Sequence, residues 1–275
     1  MLRYLTVGHI CKDLTPDGWA FGGTVSYSAR AAQALGCEVN IVTSTEAELD
    51  LTPAVRDARV VRSISDHTTT FENIYTPGGR IQRLHAVADR LKARDFKLSV
   101  RPIDILHLAP IAQEVDRDWL DTYDGALIGV SPQGWLRQWD SSGHVSSSEW
   151  SDAAEILARA DAVVISIEDV NGDQAVVDRW AAQTRHLIVT RGYQGCTLYL
   201  AGQPIDLPAP VECEVDPTGA GDIFAAAFFI RLRQIADPIV AARFANCIAA
   251  KSITRRGLDG VPNLLEIEQC LQSTR

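Results

Sequence analysis

The stretch Asp216-Pro217-Thr218-Gly219-Ala220-Gly221-Asp222-Ile223-Phe224-Ala225-Ala226-Ala227-Phe228 places glycines and other small residues directly before a long apolar segment. This pattern predicts a helix that begins near residue 219 and continues to about residue 234. The first N–H groups of a helix have no partner within the helix, and the helix dipole adds partial positive charge there. The stretch therefore indicates an anion site, above all one for phosphate.

Asp222 falls in the first turn of this helix, where its carboxylate would repel a bound phosphate. A base that takes the proton of an attacking hydroxyl would explain the position. The alternative is a carboxylate that only stabilises the helix start. No Gly-Lys-Ser/Thr follows the glycines, so the stretch is not a Walker loop, and it is not a dinucleotide-binding fingerprint.

Outward from this stretch, apolar strands alternate with helices. A strand at residues 4–7, a helix from Thr24 that ends at Gly36 and a strand at 39–43 imply parallel strands with a right-handed crossover. Runs without alternation, typical of strands covered on both faces, predict further strands at 105–108, 126–130, 162–165 and 187–190. Helices are predicted at 115–122, 148–159, 172–183, 219–234, 238–253 and 263–271.

A different pattern interrupts this alternation near the middle of the first half. Residues 68–75 and 80–84 alternate around a turn at Pro77-Gly78-Gly79, which predicts a β-hairpin. We expect a single domain over residues 1–275, with a short β lid from about 10–22 and 66–86 in which residues 13–22 form a short loop.

The composition bounds the function. The chain has 275 residues and a net charge of −9, which argues against nucleic-acid partners, and no stretch has the length of a membrane span. Its six cysteines form no C-x-x-C pair, which argues against a zinc ribbon. Apolar surroundings favour free thiols and a cytoplasmic location.

Several segments together resemble the PfkB, or ribokinase-like, carbohydrate kinase family. Residues 216–222 are similar to its signature D-T-x-G-A-G-D, with Pro217 where Thr is usual. Gly22-Gly23 before a helix of small residues, residues 189–195 and the end of the chain from Ala245 to Pro262 match in order and spacing. The resemblance implies a three-layer α/β/α fold with a mostly parallel central sheet, and ATP-dependent phosphorylation of a hydroxyl on a small molecule.

The resemblance also implies roles for individual residues. Asp222 would be the catalytic base, and the amides of Gly219, Ala220 and Gly221 would hold the charge of the transferred phosphoryl group. The residues implied at the substrate are Asp13, Gly22, Gly23, Tyr27, Gln133 and Arg137. Tyr27 stands where the family often has Asn, which argues against ribose, while for Asp13 and Arg137 a solvated loop carboxylate and a surface ion pair are the alternatives.

Cofactor sites follow from the same resemblance. The residues implied at ATP are Thr190, Arg191, Gly192, Gly195 and Asn246. Glu168 and Asp169 would serve Mg²⁺, although Ser166 replaces the usual Asn, and an unrelated helix start is the alternative. Asp216 is associated with a monovalent cation, with a loop-capping carboxylate as the equal alternative.

Two function classes remain open at this point, and a third is excluded. The first is a kinase of a sugar, polyol or cyclitol, with a nucleoside kinase as its nearest alternative. The second is a catalytically silent regulator that binds a sugar or nucleotide. A nicotinamide-dependent oxidoreductase would need G-x-G-x-x-G after the first strand, which the sequence lacks. Either a monomer or a homodimer is compatible with the sequence.

Overall fold

A long, twisted β-sheet crosses the centre of the computed structural model, which describes residues 1–76, 79–96 and 102–274. In chain order, the strands are β1 (Arg3–Val7), β2 (Cys11–Thr15), β3 (Gly18–Gly22), β4 (Glu38–Thr45), β5 (Arg59–Ile64), β6 (Thr70–Thr76), β7 (Gly79–Ala86), β8 (Ile105–Leu108), β9 (Leu127–Val130), β10 (Arg137–Trp139), β11 (Val145–Ser147), β12 (Ala162–Ser166), β13 (His186–Thr190), β14 (Cys196–Leu200) and β15 (Gln203–Leu207). The α-helices are α1 (Thr24–Ala34), α2 (Thr52–Val55), α3 (Ala153–Arg159), α4 (Gln174–Ala181), α5 (Ala220–Ile235), α6 (Pro238–Ser252) and α7 (Leu264–Ser273). Within these described residues, no helix combines the length and the apolar character that crossing a membrane requires.

The central sheet has the order β15-β14-β13-β12-β9-β8-β1-β4-β5. Neighbours from β5 to β13 are parallel, and β14 and β15 are antiparallel at one edge. The apolar runs without alternation lie in these parallel strands, because helices and loops cover both faces of the sheet. The predicted three-layer α/β/α fold with a mostly parallel sheet is confirmed.

Two buried layers flank the sheet. On one face, α1, α5 and α6 bury apolar side chains against it. The second layer is a buried cluster that contains Trp119, Trp150 and Trp180 together with apolar side chains of α3 and α4. A Cβ on Gly129 of β9 would lie 2.6 Å from the ring of Phe229, so this glycine lets α5 approach the sheet closely. This packing fixes the axis of α5 and therefore the position of its first turn.

Strands β2, β3, β6 and β7 form a second sheet, called the lid here, with the order β3-β2-β6-β7. The prediction of a loop at residues 13–22 is wrong, since residues 11–22 form the antiparallel hairpin β2–β3. Strand β2 pairs in parallel with β6, and this pairing satisfies the backbone groups that a loop would leave to water. The predicted hairpin is present as β6 and β7, and its turn at Pro77-Gly78 lies outside the described residues.

Two predicted helices are shorter than expected. Residues 115–122 contain only a 3₁₀ helix at Arg117–Asp121, and α3 begins five residues after the predicted start at 148. Before α3, strands β10 and β11 form an unpredicted hairpin. The Asp140 carboxylate accepts hydrogen bonds from the amides of Ser142 and His144 and thereby folds the turn of this hairpin.

The expectation of free thiols is wrong for two of the six cysteines. Cys247 of α6 and Cys270 of α7 form a disulfide with a Cα–Cα distance of 5.6 Å. These residues are 23 positions apart, and they meet because α7 packs on α6. The other four cysteines carry free thiols.

Candidate active site

A cavity of about 950 Å³ lies between the lid and the carboxyl ends of the parallel strands. Ligands bind at this edge in open α/β sheets, because the loops that follow the strands converge there. Predicted site residues that line the cavity are Asp13, Gly23, Tyr27, Gln133, Arg137, Glu168, Asp169, Thr190, Gly192, Gly195, Gly219, Ala220, Gly221, Asp222 and Asn246. Gly22, Arg191 and Asp216 do not line it.

The first turn of α5 forms one wall of the cavity. Gly219 precedes the helix with φ of +78°, and a Cβ there would lie 2.2 Å from the Tyr27 ring, so both the backbone conformation and the packing require glycine. The Ala220 amide donates to the carbonyl of Pro217 at 3.2 Å, whereas the Gly219 and Gly221 amides make no hydrogen bond within the described part of the chain. The anion site predicted at this helix start therefore consists chiefly of these two amides.

Asp222 lies beside this helix start and has an unusual acidity. Burial raises its pKa from 3.8 to about 6, while the Thr24 hydroxyl and the Arg137 guanidinium oppose the rise, and Asp169 and Asp13 add to it. A carboxylate with a pKa close to neutral suits a general base, because it is ionised at pH 7 and can still hold a proton.

Asp13 reaches the cavity from β2. A Cβ on Gly22 of β3 would lie 1.9 Å from the Asp13 carboxylate, so this glycine leaves the space that the carboxylate occupies. Gly22 was predicted to contact substrate, and the structure instead places it behind Asp13, outside the cavity lining.

Arg137 follows the 3₁₀ turn that begins at Gln133. Its guanidinium donates to the Ile111 carbonyl at 3.4 Å and lies 5.7 Å from the centre of the Phe71 ring. It lowers the pKa of both Asp222 and Asp169, so its positive charge acts on the carboxylates of the cavity. Arg137 therefore lies in the cavity wall, where its charge faces these carboxylates.

Asp169 and Glu168 follow the end of β12. The Asp169 carboxylate accepts from the Ser166 amide at 2.8 Å and from the Gln133 side chain at 3.4 Å. The Ser166 hydroxyl accepts from the Glu168 amide, so Ser166 caps a short 3₁₀ helix and holds Asp169 in place. Burial raises the pKa of Asp169.

The residues predicted for the nucleotide divide into two groups. Thr190, Gly192 and Gly195 line the cavity after β13. Asn246 is also part of the lining, but its amide donates to the Leu207 carbonyl at 2.9 Å and holds β15 on α6. The Arg191 guanidinium turns away, donating to the Thr197 hydroxyl at 2.9 Å, so a phosphate contact by Arg191 is not supported.

Asp216 caps a loop. Its carboxylate accepts from the Thr218 amide at 3.0 Å and from the Gly257 amide at 2.9 Å. Of the two interpretations that the sequence left open, the geometry supports the capping carboxylate. Within residues 1–76, 79–96 and 102–274, no group of three His, Cys, Asp or Glu side chains could hold a metal ion.

Sequence reasoning missed several polar residues of the cavity. Asn73 of β6 and Gln82 of β7 face each other across the lid, with the Gln82 amide donating to the Asn73 side chain at 3.0 Å. The spacing of Phe71 and Asn73 on an alternating strand was a signal for this wall. Ser146 and Ser147 come from the unpredicted hairpin. Trp19 of β3 packs on Phe21 outside the cavity lining.

Comparisons with known proteins find similar sequences and folds among kinases. Residues 148–263 match the model of the pfkB family carbohydrate kinases. The chain is 25% identical over 251 residues to a cytidine kinase of Thermococcus kodakarensis, which covers 83% of this chain and 87% of that protein. Among solved structures, a pyrophosphate-dependent myo-inositol kinase has a TM-score of 0.80 at 17% identity and covers 99% of both chains. Arabidopsis thaliana ribokinase complexed with ribose and ATP has a TM-score of 0.73 at 17% identity, again over 99% of both chains.

Proposed function

We propose that this chain is an ATP-dependent kinase of a sugar or nucleoside in the PfkB, ribokinase-like family, and we propose an acceptor class and a set of residue roles for it. The match of residues 148–263 to the pfkB family model and the similarity to a cytidine kinase and a fructokinase support this proposal. In this proposal the acceptor is a sugar, polyol or cyclitol. The observation that carries the kinase assignment is that Asp222, with a pKa of about 6, lines the same cavity as the Gly219–Gly221 helix start and Asp13.

The proposed reaction uses these groups in one step. Asp13 accepts hydrogen bonds from acceptor hydroxyls and orients the molecule, and Asp222 takes the proton of the attacking hydroxyl. The oxygen then bonds to the terminal phosphorus of the donor as the bond to the leaving phosphate breaks. The amides of Gly219 and Gly221 hold the negative charge on the transferred phosphoryl oxygens.

The donor and its metal fit the residues present. Gly192 has open space where a side chain would be and lets the backbone after β13 come close to a nucleotide, while Gly195 makes room for the Leu207 carbonyl. Ile253 and Ala249 at the end of α6 offer apolar contact to a base. Glu168 and Asp169 would hold Mg²⁺ largely through water, as two carboxylates commonly do. The ion supplies charge neutralisation on the donor phosphates when bound.

The cavity has a polar wall and an apolar wall, and each favours a different class of acceptor. Asn73, Gln82 and Ser147 present amide and hydroxyl groups that suit a molecule rich in hydroxyls. A nucleoside is the second candidate, because Phe71 and Leu136 give the same end of the cavity an apolar surface on which a base could lie. The similarity to a cytidine kinase favours testing that candidate directly.

The test is ATP consumption by the full chain across a panel of sugars, polyols, inositols and nucleosides, with the Asp222→Asn variant as a matched control. We expect turnover with one acceptor class, none with the variant, and none with pyrophosphate as donor. Consumption that is equal with and without every acceptor would contradict the kinase assignment and favour a silent binding protein. Turnover confined to nucleosides would overturn the carbohydrate acceptor alone.

A further inference from the structure

A buried hydrogen-bond network joins the lid to the central sheet outside the cavity. Glu114, which follows β8, is 1% exposed, and its carboxylate accepts from three backbone amides. These are the His9 amide at 2.8 Å, the Ala112 amide at 2.7 Å and the Ile111 amide at 3.0 Å. One carboxylate therefore holds the chain entering β2 against the loop that follows β8.

The side chain of His9 continues the network to the other lid hairpin. His9 is fully buried, with Nδ1 2.7 Å from the Thr69 hydroxyl and Nε2 2.9 Å from the Asp89 carbonyl. The Thr69 hydroxyl accepts from the Ala88 amide at 3.0 Å, so its own hydrogen is available for Nδ1, and Nε2–H donates to Asp89. The chain before β6 and the chain after β7 are thereby tied to the chain before β2.

Both ends of this network lead directly to the acceptor side of the cavity. Asp13 lies on β2, four residues after His9. The amide of Lys12, which precedes Asp13, donates to the Thr69 carbonyl at 2.9 Å. At the other end, Ile111 lines the cavity, and its carbonyl accepts from Arg137. None of Glu114, His9 and Thr69 lines the cavity, so each can act on the acceptor only through its neighbours.

We propose that Glu114, His9 and Thr69 are positioning residues that set the orientation of Asp13 and Arg137 toward the acceptor, and that they make no direct contact with the donor residues of the cavity. The proposal rests on the proposed function. The donor residues follow β12 and β13 and begin α5, and they share no hydrogen bond with this network in the described residues. Loss of a network member should therefore weaken acceptor binding selectively.

The test compares Glu114→Gln and Thr69→Val with Thr6→Val. Thr6 is a fully buried threonine whose hydroxyl has no partner among the described residues, which makes it a matched control for Thr69. With the acceptor that the panel identifies, we expect Glu114→Gln and Thr69→Val to raise the acceptor KM roughly tenfold, the effect of losing one buried hydrogen bond to a charged or bridging group. The KM for ATP should stay within about twofold, and Thr6→Val should match the parent in both.

Amide hydrogen exchange gives a readout that does not depend on turnover. Faster exchange at His9, Ile111 and Ala112 in Glu114→Gln, and at Ala88 in Thr69→Val, is expected without faster exchange in α5. Equal changes in both KM values, or exchange that rises across the whole chain, would overturn the positioning role. If Glu114→Gln does not fold, Thr69→Val and its control decide the question. If no acceptor is found but the exchange pattern is as expected, the result contradicts the proposed function and still supports the role of the network in holding these segments.

Discussion

Replacing Asp222 by Asn is expected to abolish turnover and at the same time to stabilise the folded chain. Asn keeps the size of the side chain but cannot take a proton, and a positioned general base contributes about 10²- to 10⁴-fold to rate. The gain in stability comes from the charge that the variant no longer buries beside Asp169 and Asp13.

The size of the gain follows from the shift in pKa. The pKa of Asp222 rises from 3.8 in the unfolded chain to about 6 in the folded one. Each unit corresponds to about 1.4 kcal/mol, so the ionised carboxylate lowers the free energy of unfolding by roughly 3 kcal/mol at pH 7. The folded chain binds the proton more tightly, so this loss is absent below about pH 4, grows as the pH rises, and is complete above about pH 6.

This difference in the free energy of unfolding can be measured by urea unfolding between pH 4 and pH 8. The proteins compared are the parent, Asp222→Asn and Asp124→Asn. Asp124 is exposed and lies outside the cavity, so its variant controls for loss of one surface charge. We expect Asp222→Asn to equal the parent near pH 4 and to exceed it by roughly 3 kcal/mol above pH 6. The kcat/KM of the parent should rise with pH through about 6, where the base loses its proton. Parent-like turnover in Asp222→Asn, or a stability difference that does not change with pH, would refute the assignment.

Three further variants test the remaining site assignments. In steady-state kinetics, Asp13→Asn should raise the acceptor KM at least tenfold and leave the ATP KM unchanged, because the acceptor loses one charged hydrogen-bond partner. An equal rise in the ATP KM would argue against a role of Asp13 in acceptor binding. Gly219→Ala should lower the free energy of unfolding, measured in urea, by at least about 1 kcal/mol, because alanine is strained at positive φ and its Cβ would meet the Tyr27 ring. Gly221→Ala is the control, since a Cβ there has open space and the variant should be as stable as the parent. Equal stability of the two variants would contradict this packing. Arg137→Gln should shift the acid limb of the pH–rate profile upward, because the guanidinium lowers the pKa of Asp222; an unmoved limb would exclude that interaction.

The features of the fold and site that depend on local sequence pattern could be predicted from the sequence. The glycines and Asp222 at the start of α5 were found because capping, small residues and a long apolar helix all lie within one stretch. The parallel strands were found because apolar runs reflect burial on both faces. These signals need no knowledge of which element packs on which.

The errors share a different cause, which is dependence on contacts distant in sequence. The sequence predicts a loop at residues 13–22, because β2 and β3 are mostly exposed and only their pairing with β6 identifies them as strands of the lid. Arg191 was assigned to the donor from its neighbours, yet its side chain turns to Thr197, a direction that spacing does not encode. The Cys247–Cys270 pair depends on how α7 packs on α6.

The charge balance of the cavity makes donor binding depend on the metal. Among the described residues, its lining carries one guanidinium, that of Arg137, and six carboxylate side chains: Asp13, Glu168, Asp169, Glu212, Glu214 and Asp222. Of these carboxylates, Glu212 forms an ion pair with Lys251. The net charge of −9 on the chain gives no long-range attraction for a nucleotide triphosphate, so the helix-start amides and a divalent cation must offset the repulsion.

We therefore expect calorimetry to show ATP binding at least tenfold weaker without Mg²⁺ than with it. Asp169→Asn should move the two affinities in opposite directions, because it removes a repulsive charge from metal-free ATP and a ligand from the metal-bound form. Asp124→Asn should change neither. Equal ATP affinity with and without Mg²⁺ in the parent, or an Asp169→Asn variant that weakens both forms alike, would mean that this carboxylate acts on the donor by some route other than charge.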